Sequence, residues 1–368
     1  MAIIQNVENL HSDKTIEDKV ISLIDQLSAT ENSTEKDLLY ILNNISKKSA
    51  LHLYKTAREK SALYYEDRVY MRALIEFTNY CKQGCNYCGI RAFNSNVDRY
   101  RLSKEEILDC CKEGYELGYK TFVMQGGEDN FFSDEMIADI IKTIKETYPD
   151  CAITLSFGEK PKESYQKYFD AGCDRYLLRH ETASKELYEH LHPKPMSFEN
   201  RMKCLNDLKD IGFQVGAGYM VGSPRQTNED LVKDLLFLKE FQPHMCGIGP
   251  YVCHSDTPFK GERTATVEET RVMVALTRLL CPKALLPAAT AMGTVDPVGR
   301  EKALKSGANV VMPKVTPRSV RAKYELYADM ICVDDEASHC RSCIEGRINM
   351  AGYQVDLQRG DHVDCEVE

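Results

Sequence analysis

From Arg72 onward the chain repeats one unit: a short apolar or β-branched run, then a segment with apolar residues at helical spacing. The runs are RALIEFT, KTFVMQ, AITLSF, RYLLRHE, FQVGAGYMV, CGIGPYV, LLPAATA and ANVVMP. Ser103 to Leu117, Asp134 to Tyr148, Phe198 to Ile211 and Glu229 to Phe241 read as helices between them. Runs this uniformly apolar are buried on both faces, so the pattern predicts a parallel sheet covered by helices. Gly118, Gly172, Gly212 and Gly307 each fall just past a helix, where a left-handed cap suits glycine. Eight such units over about 240 residues fit a complete (β/α)8 barrel of the TIM type, whose site lies at the C-terminal strand ends. A doubly wound open sheet is the competing architecture. It fits less well, because polar motifs follow nearly every strand as if converging on one mouth.

Residues 1 to about 70 read as helical and strandless, with Thr34-x-x-Asp37 opening a helix as a capping box. The expected organisation is an N-terminal helical extension over 1–70, the barrel over 71–320, and a C-terminal segment over 321–368 packed on the barrel. A net charge of −9 with no basic block argues against nucleic acid or an acidic membrane as partner. No apolar run reaches the ~20 residues of a membrane-spanning helix. The opening MAIIQNVENLHSDK lacks the basic start and apolar core of a secretory leader. Fifteen cysteines outside a small secreted framework imply reduced thiols, and hence a cytoplasmic protein.

The chemistry centres on Cys81-x-x-x-Cys85-x-x-Cys88, directly after the first run. Three clustered thiols suit a metal or an iron–sulfur cluster. Three is one fewer than a closed site needs, and an open position is what a reactive centre keeps. A zinc knuckle or a redox pair is the plainer alternative. Gln125-Gly126-Gly127-Glu128-Asp129 follows the second run, where two glycines let backbone approach a ligand. Thr154 ends the third run and Arg179-His180-Glu181-Thr182 the fourth. Polar side chains there are costly to bury unpaired, which favours a place at the mouth. Arg179 suits a carboxylate, Glu181 an ammonium, and Arg201 is a second carboxylate clamp or a solvated helix charge. The Gly247–Gly249 turn is a candidate adenine seat, Ser223 to Thr227 reads as a loop, and His180 and His254 read as structural. Cys332-x7-Cys340-x2-Cys343, beside His339, suits a zinc ion or a second cluster, or stands as plain thiols. The remaining nine cysteines read as structural.

The first cysteine motif, with Tyr87 before its last thiol, and the QGGE turn resemble the radical S-adenosylmethionine (SAM) superfamily. The longer set IEFTNYCKQGCNYCGIR, QGGED, TLSFGE, DRYLLRHET, SFENR, GYMVG, GIGPYV, ATAMGT and GANVVMP resembles the radical SAM maturases of [FeFe]-hydrogenase, from about residue 70 to the C-terminal cysteines. That resemblance implies a closed barrel in which Cys81, Cys85 and Cys88 hold a [4Fe–4S] cluster that also binds SAM. It implies SAM or cavity contacts by Tyr87, Gln125, Gly127, Glu128, Thr154, Glu181, Arg201, Met245, Thr290, Ala291 and Met312. Arg179, Tyr324 and Tyr327 would act near the substrate, and an accessory cluster would fall on Cys332, Cys340 and Cys343. The implied role is processing a cysteine-bound Fe(CO)2(CN) unit, a small organometallic substrate, alongside other maturation proteins and an electron donor. The pattern departs at Gly126 and Ala289, where the family's hydroxyls are expected. A methylornithine synthase-like lysine mutase is the near alternative, and a non-catalytic iron–sulfur or zinc protein the distant one.

Overall fold

The computed structural model describes residues 13–365 together with Ile4 and Val7, so most of the opening stretch read above as lacking a leader lies outside the described residues. Three helices come first, α1 (Lys14–Thr30), α2 (Glu35–Asn44) and α3 (Lys47–Tyr65). Thr34 caps α2 by accepting from the Asp37 N–H at 3.1 Å. The apolar faces of α1 to α3 bury Val20, Ile24, Leu38, Ile41 and Leu53 in the main core.

β1 (Arg68–Met71) and β2 (Ala73–Thr78) follow in one extended passage. The strand β1 falls where the sequence suggested only helix, at the end of the first 70 residues. Its four residues hydrogen-bond on both sides, to strands formed near the C-terminus, a pairing with no local signal. The repeating part then runs α4 (Lys104–Glu116), β3 (Thr121–Gly126), α5 (Asp134–Thr147), β4 (Ala152–Ser156), α6 (Lys162–Asp170), β5 (Arg175–Leu177), α7 (Lys185–Leu191), α8 (Phe198–Ile211), β6 (Gln214–Ala217), β7 (Met220–Val221), α9 (Asn228–Phe241), β8 (Met245–Cys246) and β9 (Gly249–Pro250). The chain closes with α10 (Val267–Leu280), α11 (Thr290–Val295), α12 (Gly299–Leu304), β10 (Val310–Val311), α13 (Arg318–Arg321), α14 (Ala337–Met350) and β11 (Gln354–Asp356). The four helices expected from periodicity are α4, α5, α8 and α9, each within a residue or so of its expected ends.

Six parallel strands run in the order β2-β3-β4-β5-β6-β8. Parallel bridges Met245↔Leu285, Pro287↔Val310 and Leu74↔Lys314 carry the ring through the last two apolar runs and back to β2. The sheet therefore closes into a TIM-type barrel, and the open sheet is excluded. Alternate residues face opposite ways. Ala73, Ile75, Phe77, Phe122, Met124, Ile153 and Leu155 pack outward into the helix-facing core. Leu177, Met245, Leu285 and Val310 form a separate apolar layer inside the ring with Tyr65 and Tyr70.

The C-terminal tail stoppers the ring below that layer. Arg175 at the start of β5 pairs with Asp361 at 2.5 Å, Gln214 donates to the same carboxylate at 2.8 Å, and buried Arg72 donates to the Gly360 carbonyl at 2.9 Å. His244, His362 and Cys365 bring three ligand-type atoms within 4.8 Å of one another there. Both Nδ1 atoms accept backbone N–H groups, from Val215 at 3.0 Å and Asp364 at 3.3 Å. Each Nε2 therefore carries the proton and is closed to a metal.

Burial pushes the Asp361 carboxyl up, but the Arg175 and Arg359 guanidiniums outweigh it and hold it down at about 2. A depressed carboxyl stabilises the fold above its unfolded pKa, ~3.9, and loses that contribution as pH falls toward 2. Asp361→Asn should therefore cost about 3 kcal/mol at pH 7, since it leaves Arg175 buried and unpaired. Denaturant titration checks this, and the gap to wild type should narrow below about pH 4.

Candidate active site

The cysteine loop leaves β2 at Asn79 and is held by its own backbone carbonyls. Arg99 donates to the carbonyls of Asn79, Ile90, Arg91 and Asn94 at 2.5 to 3.2 Å, gathering the loop around one guanidinium. Burial lowers the Arg99 pKa, and Cys81 and Cys88 raise it in return, so its charge also bears on those two sulfurs. Asn86 ties the loop to α7 through the His190 and Leu191 carbonyls, at 2.9 Å each. Tyr87 donates to His192 Nε2 at 3.2 Å, because His192 Nδ1 is spent on the Tyr188 carbonyl at 2.9 Å.

The QGGED turn is pressed against this loop. A Cβ on Gly127 would lie 2.2 Å from the Tyr80 carbonyl oxygen and 2.7 Å from Cys81 Cβ, so only glycine allows the approach. Asp129 accepts two bonds from Arg101, at 2.6 and 3.0 Å, and one from Thr78 at 2.8 Å. Glu128 accepts from Gln83 Nε2 at 2.7 Å and from the Glu159 N–H at 3.1 Å. Its carboxylate thus binds the two loops together, and the turn meets the site with its backbone.

Cys81, Cys85 and Cys88 are partly exposed and carry free thiols. Their sulfurs are not drawn within 4.8 Å of one another. Burial raises the Cys85 thiol well above its usual range and the Cys88 thiol to about 12, so these thiols ionise when a cation takes the proton's place.

Unspent polar atoms surround the inside of the mouth. Thr154 Oγ1 and Arg179 Nε are buried without a hydrogen-bond partner, and Arg179 Nη2 and Glu181 Oε2 have only their ion pair with each other. Such atoms are costly, and they suit a polar ligand with an amine, a carboxylate and hydroxyls, as SAM has. Glu181 sits at φ 66, an uncommon conformation held by its N–H on the Gly218 carbonyl at 3.0 Å. Its carboxylate lies 3.1 Å from Arg179 Nη2. Arg201 is instead committed inside the protein, to Glu159 at 2.6 Å and the Arg179 carbonyl at 2.5 Å.

Tyr324 is buried and accepts from Gln125 Nε2 at 3.2 Å. The Tyr324 segment abuts the cysteine loop, because the Gly89 N–H donates to the Leu326 carbonyl at 2.8 Å. Burial pushes the Tyr327 hydroxyl pKa up. Met245 receives Arg72 Nη1 at 3.2 Å on its sulfur and, with Met312, belongs to the apolar inner layer. Thr290 and Ala291 open α11, directly after Ala289. Cys332, Cys340 and Cys343 lie apart, on the segment running into α14. A hydrogen bond from Cys340 outweighs burial and, with Arg300, brings the Cys332 thiol down to about 6. Arg99, Arg101 and Glu159 are the supports that motif reading passed over. The DRYR stretch carries two of them, and its signal was charge in an otherwise buried loop.

A model of the radical SAM superfamily matches residues 75–238. The [FeFe] hydrogenase maturase subunit HydE of Thermotoga maritima is 49% identical over 289 residues, 78% of this chain and 82% of that protein. The 3-methylornithine synthase of Methanosarcina barkeri is 28% identical over 82% of this chain and 85% of its own length. The crystal structure of methylornithine synthase (PylB) superposes with a TM-score of 0.79 at 25% identity, covering 91% of this chain and 97% of that one. The crystal structure of HydG, a maturase of the [FeFe]-hydrogenase, gives 0.76 at 21% identity, over 93% of this chain and 76% of that one, a likeness of fold.

Gly127→Ala should break the contact between turn and cysteine loop while the barrel persists. Iron per reconstituted chain should fall by more than about half, with the far-ultraviolet spectrum unchanged.

Proposed function

The chain belongs to the family of the [FeFe] hydrogenase maturase subunit HydE within the radical SAM superfamily, and from that premise we propose that its lumen processes a cysteine-bound Fe(CO)2(CN) unit on the way to the two-iron subcluster of [FeFe]-hydrogenase. The chain is a radical SAM enzyme of hydrogenase maturation, so a [4Fe–4S] cluster and SAM are its cofactors. The supporting observation is the set of buried polar groups at the barrel mouth, Thr154 Oγ1 and Arg179 Nε without partners and the Arg179–Glu181 pair with only each other, beside three partly exposed thiols.

Cys81, Cys85 and Cys88 would hold the cluster. When bound, cluster and SAM supply one-electron cleavage of SAM to a 5′-deoxyadenosyl radical. The residues of this chain do the rest. Gly127 brings the backbone of the QGGED turn to the SAM amine, and Glu181 offers it a carboxylate. Thr154 supplies a hydroxyl, Tyr87 packs at the last thiol, and Arg201 fixes the Arg179 carbonyl and thereby the turn that aims Arg179 and Glu181. Arg179, whose Nη2 is paired with Glu181, presents Nε to an anionic group of the substrate. Gln125 orients Tyr324, and Tyr324 and Tyr327 face the reacting group. Met245, Met312, Thr290 and Ala291 line the chamber. The closed wall excludes solvent and the side reactions it would allow.

The second thiol set, Cys332, Cys340 and Cys343, would carry an accessory cluster away from the reaction. Other maturation proteins and a low-potential electron donor are the expected partners. Among the described residues no helix is long and apolar enough to cross a membrane, and a cytoplasmic site suits thiols that must stay reduced. A lysine mutase reading draws on the same barrel, and identity favours the maturase, 49% against 28%.

Cys85→Ala in reconstituted, dithionite-reduced protein should abolish formation of 5′-deoxyadenosine from SAM, read by chromatography. Retained cleavage would sink the assignment of these thiols.

A further inference from the structure

The lumen holds a second charged pair to which the reading above gives no task. Ala73, Ile75 and Phe77 of β2 pack outward, so Leu74 and Glu76 face the lumen. Lys314, just past β10, bridges Leu74 in parallel register. Its Nζ lies 3.1 Å from Glu76 Oε1, with side chains only 3% and 1% exposed. Even so, neither Lys314 Nζ nor Glu76 Oε2 has a hydrogen-bond partner of acceptable geometry. An ammonium has three protons to give and a carboxylate two oxygens, so most of the pair's capacity is unspent.

The aim of these groups is set by their backbone. The Glu76 N–H donates to Thr316 Oγ1 at 2.8 Å, and the Glu76 carbonyl accepts from Tyr100 at 2.6 Å. Glu76 stands in register with Gln125, which holds Tyr324. Arg321, the other buried cation near Glu76, is committed to the carbonyls of Thr316 and Asp335. Stability does not account for the pair, since apolar residues of equal size often serve a core better. Half-used charges inside the ring are what a ligand-binding site keeps.

We propose that Lys314 and Glu76 bind the zwitterionic head of an α-amino-acid ligand, Lys314 Nζ donating to its carboxylate and Glu76 Oε2 accepting from its ammonium. An α-amino acid carries its two charges on neighbouring atoms, the spacing that a side-by-side cation and anion match. The inference rests on the lumen being the substrate chamber, and it specifies how a cysteine-bearing substrate is oriented there. Arg179 is then left for a second anionic group.

The test is anaerobic calorimetry on reconstituted, SAM-loaded protein with three probes: L-cysteine, cysteamine (no carboxylate) and 3-mercaptopropionate (no amine). Wild type should prefer L-cysteine to both by about tenfold or more. Lys314→Met should remove the benefit of the carboxylate, weakening L-cysteine and 3-mercaptopropionate by about tenfold while leaving cysteamine within about twofold. Glu76→Gln should do the converse, weakening L-cysteine and cysteamine. The double variant E76Q/K314M leaves no lone buried charge and guards against a folding defect. A folded double variant that still discriminates among the probes overturns the proposal. Wild type that processes the iron complex but treats the three probes alike also overturns it, and leaves the function standing. Discrimination without turnover of the iron complex supports the pair and contradicts the function.

Discussion

Closure of the sheet governs everything else in this molecule. Once Leu74 bridges Lys314, a polar atom buried inside the ring must find a partner within the protein or in a ligand. Below, the requirement is largely met internally. Arg175 and Gln214 bond Asp361 and Arg72 Nη2 bonds the Gly360 carbonyl, leaving Arg72 Nε without a partner, and an apolar layer of Leu177, Met245, Leu285 and Val310 lies above them. At the mouth it is left unmet at Thr154, Arg179, Glu181, Glu76 and Lys314.

The charged residues near the cysteines divide by the same criterion. Arg99, Arg101, Asp129, Glu128, Glu159 and Arg201 are spent on backbone or on one another, and they fix the shape of the loops. Arg179 Nε keeps no partner and Arg179 Nη2 and Glu181 have only each other, with Glu181 held in a strained backbone conformation by the Gly218 carbonyl. Supports that are fully satisfied and functional groups that are not are what a preorganised site requires.

The barrel was legible because parallel strands buried on both faces leave an unbroken apolar run, and each of the eight runs sits in the ring. The seventh, LLPAATA, makes only bridges at Leu285 and Pro287, yet its apolar character announced it. The cysteine motif and the QGGED turn were legible because their spacing is local. What escaped was long-range. The strand β1 and the tail that stoppers the ring are built from partners far apart in sequence, and Asp361 and Gly360 look like an ordinary polar terminus. Glu76 and Lys314 were hidden for a similar reason. A single charge inside an apolar run shows its partner only when the first and last strands meet. Glu128 shows the converse limit, because its place in a motif did not reveal that its carboxylate holds the loops together.

The central claim is that this closed, polar-mouthed lumen acts on an iron complex carried by cysteine. Its most direct test is electron paramagnetic resonance on anaerobically reconstituted, reduced protein given SAM with either the cysteine-bound iron carbonyl cyanide complex or lysine. The account predicts a new iron-centred signal and an adenosylated product with the iron complex alone. Conversion of lysine, with no new signal from the iron complex, would keep the barrel and the cluster and contradict the function.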